Sequence, residues 1–149
     1  MRQLRAWMLV TLLFGVVPPA RAACTITTTP VALGVYDPFS AVPADSTGTV
    51  TFRCGAADRN VTITLGPGAS ASFNPRTLVG APDTLAYNLY RDAARTLIWG
   101  TGAGGTSFYL NADPPNNQNV VVTIFARIPP SQDVRAGAYA DTVAVIVNF

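Results

Sequence analysis

The side chains that could carry chemistry in this chain are few. The 149 residues contain no histidine, lysine or glutamate, and two cysteines, Cys24 and Cys54. Without histidine the chain has no Ser–His or Cys–His nucleophile pair and no imidazole base. Two cysteines without histidine do not supply the usual ligand set of a structural zinc site. We therefore expect no metal, no cofactor and no histidine-assisted catalysis.

Eight aspartates are the remaining candidates for acid–base chemistry. Most of them stand beside turn residues, where aspartate is favoured because its side chain hydrogen-bonds the nearby backbone. The run Gly100–Gly105 formally matches a dinucleotide-binding glycine motif, but Thr106–Leu110 after it has the pattern of a strand, whereas that motif requires a helix. The triplet Asn60-Val61-Thr62 matches a glycosylation signal but falls within a predicted strand. The sequence therefore predicts that the chain is not an enzyme. The eight aspartates are Asp37, Asp45, Asp58, Asp83, Asp92, Asp113, Asp133 and Asp141.

The first residues have the zones of a secretory signal peptide. Arg2 and Arg5 form a basic start, Trp7–Val17 is a mainly apolar run, and Ala20-Arg21-Ala22 is a small-x-small cleavage site. The apolar run is too short to cross a bilayer, which takes about 20 residues. We predict a signal peptide over residues 1–22 and one secreted domain over residues 23–149.

Removal of the signal peptide changes the charge of the chain. Three of the ten arginines lie in residues 1–22, so seven arginines face eight aspartates and the net charge becomes −1. No basic patch remains that would favour a nucleic acid or an anionic membrane as partner. With so few charges to keep it soluble and monomeric, the domain is expected to work within an assembly.

The two cysteines are bound for an oxidising compartment, where a disulfide between Cys24 and Cys54 is the expected outcome. Closing a loop of about 30 residues would stabilise the domain by roughly 3–4 kcal/mol. The alternative is that Cys24 becomes a lipidated N-terminal residue, which would leave Cys54 unpaired.

Alternation with a period of two residues dominates the predicted domain, and no stretch has a helical period. Turn residues such as Gly66-Pro67-Gly68 and Pro114–Asn117 separate the alternating runs. Six to eight short strands punctuated in this way indicate an antiparallel β-sandwich or barrel. The strand-like runs are Val31–Val35, Gly48–Cys54, Asn60–Leu65, Thr84–Arg91, Thr96–Trp99, Val120–Ile128 and Tyr139–Phe149.

Several short motifs in this order resemble the spore coat protein U family, which includes the pilins of archaic chaperone–usher fibres. The resemblance covers nearly the whole predicted domain and implies an immunoglobulin-like sandwich that lacks its final strand. The residues that carry it are Cys24, Gly34–Asp37, Cys54, Arg76–Leu78, Tyr87–Asp92, Trp99-Gly100, Ile128-Pro129, Gln132, the motif Gly137-x-Tyr139-x-Asp141-Thr142-Val143, and Val147–Phe149.

The resemblance also implies the partners of such a subunit. A periplasmic chaperone lends it a strand, a neighbouring subunit replaces that strand with its own, and an outer-membrane usher exports the product to the cell surface. No nucleic acid or small-molecule substrate is implied. The terminal carboxylate at Phe149 would be the group that the chaperone anchors. The walls of the partner-strand groove would be Val31, Leu33 and Val35 on one side and Val143, Val145, Val147 and Phe149 on the other.

One residue, Ala23, stands between the predicted cleavage site and Cys24, too few for a donor strand, which needs at least about five or six residues. We therefore expect a tip or capping subunit that accepts a strand and has none to give. The alternatives are a spore or cell-surface coat protein and a stand-alone secreted binding module. Pro38–Pro43 and Phe108–Leu110 are candidate contact loops, although core packing is the favoured interpretation of their aromatic residues.

Overall fold

A computed structural model of the chain describes residues 24–80 and 82–149. The predicted signal peptide over residues 1–22 lies outside these residues. The described residues form eight β-strands and one short 3-10 turn at Gly68–Ser70. The strands are β1 (Thr25–Thr29), β2 (Ala44–Arg53), β3 (Val61–Leu65), β4 (Arg76–Val79), β5 (Thr84–Tyr90), β6 (Tyr109–Asn111), β7 (Val120–Ile128) and β8 (Val145–Asn148).

The strands make two sheets in which every ladder is antiparallel. The larger sheet has the order β1-β2-β7-β5-β4, and the smaller has the order β6-β3-β8. The centre of the larger sheet is the β2–β7 ladder, which runs in register from Ala44 opposite Ile128 to Phe52 opposite Val120. This architecture confirms the predicted all-β antiparallel sandwich. Within the described ranges, no helix has the length and apolar character needed to cross a membrane.

The core lies between the inner faces of the two sheets. Alternate residues of β2 and β3 are buried, as their period-two pattern predicts; Val50 and Phe52 come from β2, and Val61, Ile63 and Leu65 from β3. Burying each large aliphatic or aromatic side chain contributes about 1.5–3 kcal/mol. Trp99 is fully buried among them, and its indole N–H donates to the carbonyl oxygen of Ile63 at 3.0 Å. This bond satisfies the one polar group that the indole brings into the core.

The predicted strand over Val31–Val35 is wrong, because this segment has no sheet ladder. Pro30 follows β1 directly and has no N–H to continue the ladder. Gly34 then has a φ of +74°, a left-handed conformation that breaks an extended strand. As a result Val31 and Leu33 are half-buried while Val35 is 95% exposed.

The predicted final strand over Tyr139–Phe149 is shorter in the structure, since its ladder covers only Val145–Asn148. Its partner β3 ends at Leu65. The next backbone hydrogen bond, from the N–H of Gly66 to the carbonyl oxygen of Ala144 at 2.9 Å, is the last between these two segments. Further upstream, Ala140 exchanges backbone hydrogen bonds with Val79 of β4. Residues 139–144 therefore cross from the edge of the larger sheet to the smaller sheet without a continuous partner.

Two other short runs differ in detail from the predicted strands. In Thr96–Trp99 only Ile98 and Trp99 pair, through isolated bridges to Tyr90 and Ser107. In Thr106–Leu110 the ladder begins at Tyr109, so β6 starts later than the pattern indicates. Both runs flank the glycine-rich loop 100–105, which takes up most of the chain between them.

Candidate partner-strand groove

A groove lies between the segment that follows β1 and the segment that leads into β8. It consists of two adjoining cavities of about 690 Å³ and 290 Å³. Val31, Leu33, Leu78 and Asp141 line both cavities, so the two form one continuous depression along the molecule. Its floor is mostly apolar, with Leu78, Leu85 and Ile128 under the larger cavity and Leu65, Leu78, Leu89 and Ile124 under the smaller one.

The structure brings four of the seven predicted wall residues to one place. Val31 and Leu33 line the smaller cavity from one side, and Val143 and Val145 line it from the other. These four side chains are half-buried and pack against the core. These four residues therefore line one cavity, and their contact with a partner strand stays a prediction.

The other three predicted wall residues lie elsewhere. Val35 borders the larger cavity but is 95% exposed, because the turn at Gly34 points the chain outward. Val147 packs against the core beyond the end of the groove and lines neither cavity. Phe149 is 47% exposed and also lies outside both cavities. The groove is thus shorter at this end than the alternating pattern suggests.

The backbone on both rims of the groove is unpaired. Within the described part of the chain, residues 31–35 and 141–143 make no backbone–backbone hydrogen bond. β8 stands at the edge of the smaller sheet and pairs with β3 on one side only. Unpaired N–H and C=O groups along such an edge are a template for pairing with another strand.

Asp141 is the one carboxylate among the residues that line the groove, and it borders both cavities. Arg135 is a second charged residue and lines the larger cavity only. Oδ1 of Asp141 accepts a hydrogen bond from the backbone N–H of Ala69 at 2.9 Å, and its Oδ2 accepts one from the Tyr87 hydroxyl at 2.7 Å. Burial, with the added effect of this hydrogen bond to Asp141, raises the pKa of the Tyr87 hydroxyl. The pair fixes the rim segment against β5 and against the turn that follows β3.

Beside this pair, the fully buried side chain of Arg76 joins four elements. Its Nε and Nη2 donate to the carbonyl oxygen of Gly66 at 3.0 Å and 2.8 Å, Nη2 also donates to that of Trp99 at 2.6 Å, and Nη1 donates to Oδ1 of Asn88 at 2.9 Å. Desolvation lowers the pKa of this guanidinium. Arg76 thus supplies hydrogen-bond donors to the half-buried carbonyl group of Gly66 and to the buried carbonyl group of Trp99.

Sequence reasoning did not assign Tyr87, Asp141 or Tyr139 to the groove. The signal was present in the motif Gly137-x-Tyr139-x-Asp141, which was visible as a family resemblance without a physical role. In the structure Tyr139 lines the larger cavity, and its hydroxyl donates to the carbonyl oxygen of Arg135 at 2.7 Å. A Cβ added at Gly80 would lie 2.6 Å from the Tyr139 ring, so Gly80 lets this ring lie flat against the chain.

The predicted disulfide between Cys24 and Cys54 is present and is confirmed. Because this bond engages the sulfur of Cys24, the lipidated alternative is wrong for this structure. Asp58 lies close to the disulfide: one of its carboxylate oxygens and the sulfur atoms of Cys24 and Cys54 all lie within 4.8 Å of one another. The two sulfur atoms are bonded to each other.

Several of the other aspartates have structural roles, as their positions beside turns predict. Asp37 accepts the N–H of Phe39, Asp83 that of Arg135, and Asp92 those of Thr96 and Leu97. The backbone hydrogen bond from Leu97 is the main cause that lowers the pKa of Asp92. By accepting these backbone N–H groups, the three carboxylates stabilise the loops in which the donors lie.

The two candidate contact loops differ from their favoured interpretation as core. Phe39 is 95% exposed and Val42 is 70% exposed, so the aromatic residue of Pro38–Pro43 does not pack in the core. In the second loop Phe108 and Leu110 are also exposed. Only Tyr109 turns inward, where its ring meets that of Phe52 edge to face, with centroids 6.1 Å apart.

Comparisons with known proteins bear on the fold and on the family. One chain of the crystal structure of the CsuC–CsuE chaperone–tip adhesion subunit pre-assembly complex, from the archaic chaperone–usher Csu pili of Acinetobacter baumannii, has a similar fold. The TM-score is 0.62 and the identity 24%, over 86% of this chain and 40% of that chain. This chain therefore spans less than half the length of the structure it matches.

Sequence comparison gives a more specific result. Protein U of Myxococcus xanthus is 33% identical over 129 residues, which cover 78% of this chain and 69% of that protein. The model of the Spore Coat Protein U domain matches residues 10–146. The chain belongs to the Spore Coat Protein U domain family and is a structural protein, not an enzyme.

Proposed function

We propose that this chain is a secreted structural subunit of a bacterial surface fibre, and that its groove accepts a β-strand from a partner protein. The observation that carries the proposal is the pair of unpaired rims on either side of an apolar floor. Residues 31–35 form one rim, and residues 141–143 with the free edge of β8 form the other. Among the described residues, 31–35 and 141–143 make no backbone–backbone hydrogen bond, and β8 pairs with β3 on its opposite side only.

An extended peptide fits this arrangement for two reasons. Its main chain would bond the free edge of β8, since hydrogen-bonded strands lie about 4.8 Å apart. Its alternate side chains would point down onto Leu78, Leu85 and Ile128, which have no charge. Main-chain bonds then give affinity and the pockets give specificity, which is the usual mode of strand addition. Asp141 is the one charged group that the inserted strand would meet along the shared part of the groove.

The partners follow from this mode of binding. A periplasmic chaperone would occupy the groove first, a neighbouring subunit would replace it, and an outer-membrane usher would export the product to the cell surface. The similar fold in a chaperone–tip adhesion subunit complex supports the chaperone step. Secretion through a signal peptide over residues 1–22, with a domain over residues 23–149, forms part of the same proposal. A position at the fibre tip also stays a prediction, and electron microscopy of fibres labelled for this chain tests it.

A coat layer on spores or cells is the second candidate function. It is favoured by the family description and by the relative from Myxococcus xanthus. Both candidates use the same domain, and the genes beside this one separate them. An adjacent chaperone and usher indicate a fibre, whereas a coat protein needs neither.

The proposal is tested by expressing the chain in the periplasm with and without the chaperone encoded beside it. We expect low soluble yield alone and a one-to-one complex with the chaperone. Leu33→Asp places a charge in the groove and should abolish co-purification, because a carboxylate would be buried without a partner. Val42→Asp is the matched control, since Val42 lies in the same β1–β2 connection and is 70% exposed.

Two results would contradict the proposal. One is a soluble monomer that unfolds cooperatively without the chaperone and does not bind it. The other is a chaperone complex that forms equally well with Leu33→Asp and Val42→Asp. The first result would favour a self-contained binding module, and the second would mean that the chaperone binds outside the groove.

A further inference from the structure

Asp58 is a buried aspartate, and one of its two carboxylate oxygens has no hydrogen-bond partner among the described residues. Its side chain is 2% exposed. Oδ1 is the one buried side-chain polar atom that lacks a hydrogen-bond partner in the described part of the chain. Buried polar groups in native proteins are nearly always satisfied, so a group that is not satisfied requires an explanation such as a redox or catalytic role.

The position of Asp58 is set by contacts local in sequence. It lies in the connection between β2 and β3, four residues after Cys54. The N–H of Gly55 donates to Oδ2 of Asp58 at 2.7 Å, and the N–H of Asp58 donates to the carbonyl oxygen of Gly55 at 3.3 Å. This tight turn places the carboxylate next to Cys54 as soon as the turn forms. Cys24 arrives from far away in the sequence, when β1 pairs with β2.

Oδ2 of Asp58 lies 3.7 Å from the sulfur of Cys24. The neighbouring arginine, Arg59, does not bond the carboxylate of Asp58. Arg59 directs its guanidinium to the carbonyl oxygens of Ala56 and Asp58 at 2.8 Å and 2.9 Å, and its Nε lies 3.2 Å from Oδ1 of Asp113. The neighbouring cation therefore bonds the main chain of Asp58 and the carboxylate of Asp113. The Asp58 carboxylate is the acidic group in contact with the sulfur.

Disulfide formation requires that the attacking thiol lose its proton. The attacking species is a thiolate, and an ordinary cysteine thiol, with a pKa of about 8.5, is mostly protonated at neutral pH. A carboxylate in contact with the thiol can take its proton as the sulfur attacks, which is general-base catalysis. We propose that Asp58 is the proton acceptor for the Cys24 thiol in the closure of the Cys24–Cys54 disulfide.

The reaction has two steps, with a thiol–disulfide oxidant as the co-reactant. Cys54 is 1% exposed once β1 has paired with β2, so it reacts with the oxidant before that pairing forms. Its thiolate attacks the oxidant disulfide, which forms a mixed disulfide and releases one thiolate of the oxidant. The sulfur of Cys24 then attacks the sulfur of Cys54 while its proton passes to Asp58. The sulfur–sulfur bond to the oxidant breaks, and its second thiolate leaves and takes up a proton. Two cysteine thiols are oxidised and one disulfide is reduced to two thiols. This role does not depend on whether the groove accepts a strand.

The test uses the full chain, unfolded and reduced, freed of reductant, and returned to native conditions with oxidised glutathione as the oxidant, because Cys54 is buried in the folded chain. Acid quenching, alkylation and mass spectrometry separate the mixed disulfide from the closed product, so the closure rate is measured by itself. Asp58→Asn keeps an oxygen for the Gly55 N–H but cannot take up the proton. Asp113→Asn is the matched control, because it removes one negative charge nearby without touching a sulfur.

At pH 6 closure in Asp58→Asn should be at least about tenfold slower than in the wild type, a cautious value beside the roughly 10²–10⁴-fold that general-base catalysis contributes. The difference should shrink towards pH 8.5, where the thiolate is abundant, and Asp113→Asn should stay within about twofold of the wild type. Equal closure rates in Asp58→Asn and the wild type at pH 6 would show that Asp58 only caps the turn.

A second measurement needs no variant and covers the case in which Asp58→Asn fails to fold. Without a base, the closure rate should follow the thiolate fraction and change about tenfold per pH unit below the thiol pKa. With Asp58 as base, the wild-type rate should change well under tenfold per unit between about pH 6 and 8. A full tenfold change per unit in the wild type would overturn the proposal.

Discussion

Tyr87 donates its hydroxyl hydrogen bond to Oδ2 of Asp141 over 2.7 Å, although the two residues are 54 positions apart in the sequence. Tyr87 belongs to β5 of the larger sheet, whereas Asp141 lies in the segment that leads into β8 of the smaller sheet. The bond therefore links the two sheets at the floor of the groove. It also holds in place a rim segment whose own backbone, at residues 141–143, has no partner among the described residues.

Tyr87→Phe should lower the free energy of unfolding by about 1–2 kcal/mol, because it removes one hydrogen bond to a charged group and leaves the carboxylate partly unsatisfied. Chemical denaturation followed by Trp99 fluorescence measures the change. Tyr90→Phe is the control on the same strand, since no side-chain hydrogen bond of Tyr90 is found in the described residues, and it should stay within about 0.5 kcal/mol. An equal effect of both variants would mean that the Tyr87–Asp141 bond does not stabilise the fold.

The same pair predicts a loss of stability at alkaline pH. Burial and the bond to Asp141 raise the pKa of Tyr87 above its ordinary value of about 10. A group whose pKa is raised on folding contributes stability that is complete below its unfolded pKa and is lost as the pH rises towards the folded value. Between about pH 9.5 and 11 the wild type should therefore lose stability faster than Tyr87→Phe. Parallel curves of denaturation midpoint against pH would contradict this.

Arg76→Met should destabilise the domain by at least about 2 kcal/mol, because the buried carbonyl group of Trp99, the buried amide of Asn88 and the half-buried carbonyl group of Gly66 each lose a donor. Each buried group left unsatisfied costs about 1–3 kcal/mol. Arg76→Lys should recover only part of this loss, since an ammonium cannot reproduce the planar set of donors. The exposed Arg53→Met gives the baseline. Thermal and chemical denaturation measure all three. Full recovery by lysine would show that charge alone matters at this position.

The ion pair of Asp45 and Arg127 predicts the behaviour of the domain in acid. Arg127 donates to both carboxylate oxygens of Asp45, at 2.7 Å and 2.8 Å, and this bonding lowers the pKa of Asp45. A lowered carboxyl pKa contributes stability that is present above the unfolded value of about 3.9 and is lost as the pH falls through the folded value. Asp45→Asn should flatten the stability curve below about pH 4, and the exposed Asp133→Asn should not.

Sequence alternation predicted the strands that have a partner on each side, located the edge strands β6 and β8 only in part, and missed the edge strands β1 and β4. β2, β3, β5 and β7 were expected close to where they lie, because alternate apolar residues there face the core. The same alternation in Val31–Val35 and Tyr139–Val143 led to predicted strands that the structure lacks. Alternation reports which side chains face an apolar environment, and does not report whether the backbone is paired. In these two segments the apolar face lines the groove.

The polar part of the groove was beyond sequence reasoning for a different reason. Tyr87 reads as one more inward residue of its strand, and Asp141 reads as one more turn aspartate. Their contact joins parts of the chain that only the packing of two sheets brings together, and no local pattern encodes it. Asp58 is similar, since its distance to Cys24 depends on the pairing of β1 with β2.

Hydrogen exchange tests the unpaired rims directly. Backbone amides of residues 31–35 and 141–143 should exchange quickly in the free chain, because they donate to no backbone carbonyl in the described residues. Amides at the centre of the β2–β7 ladder should exchange slowly in every state, which provides an internal reference. Addition of the chaperone should slow exchange at the β8 edge and at residues 141–143, since an inserted strand would pair with them. Slow exchange of these residues in the free chain would mean that the rims already have partners, and the groove would then be closed to a strand.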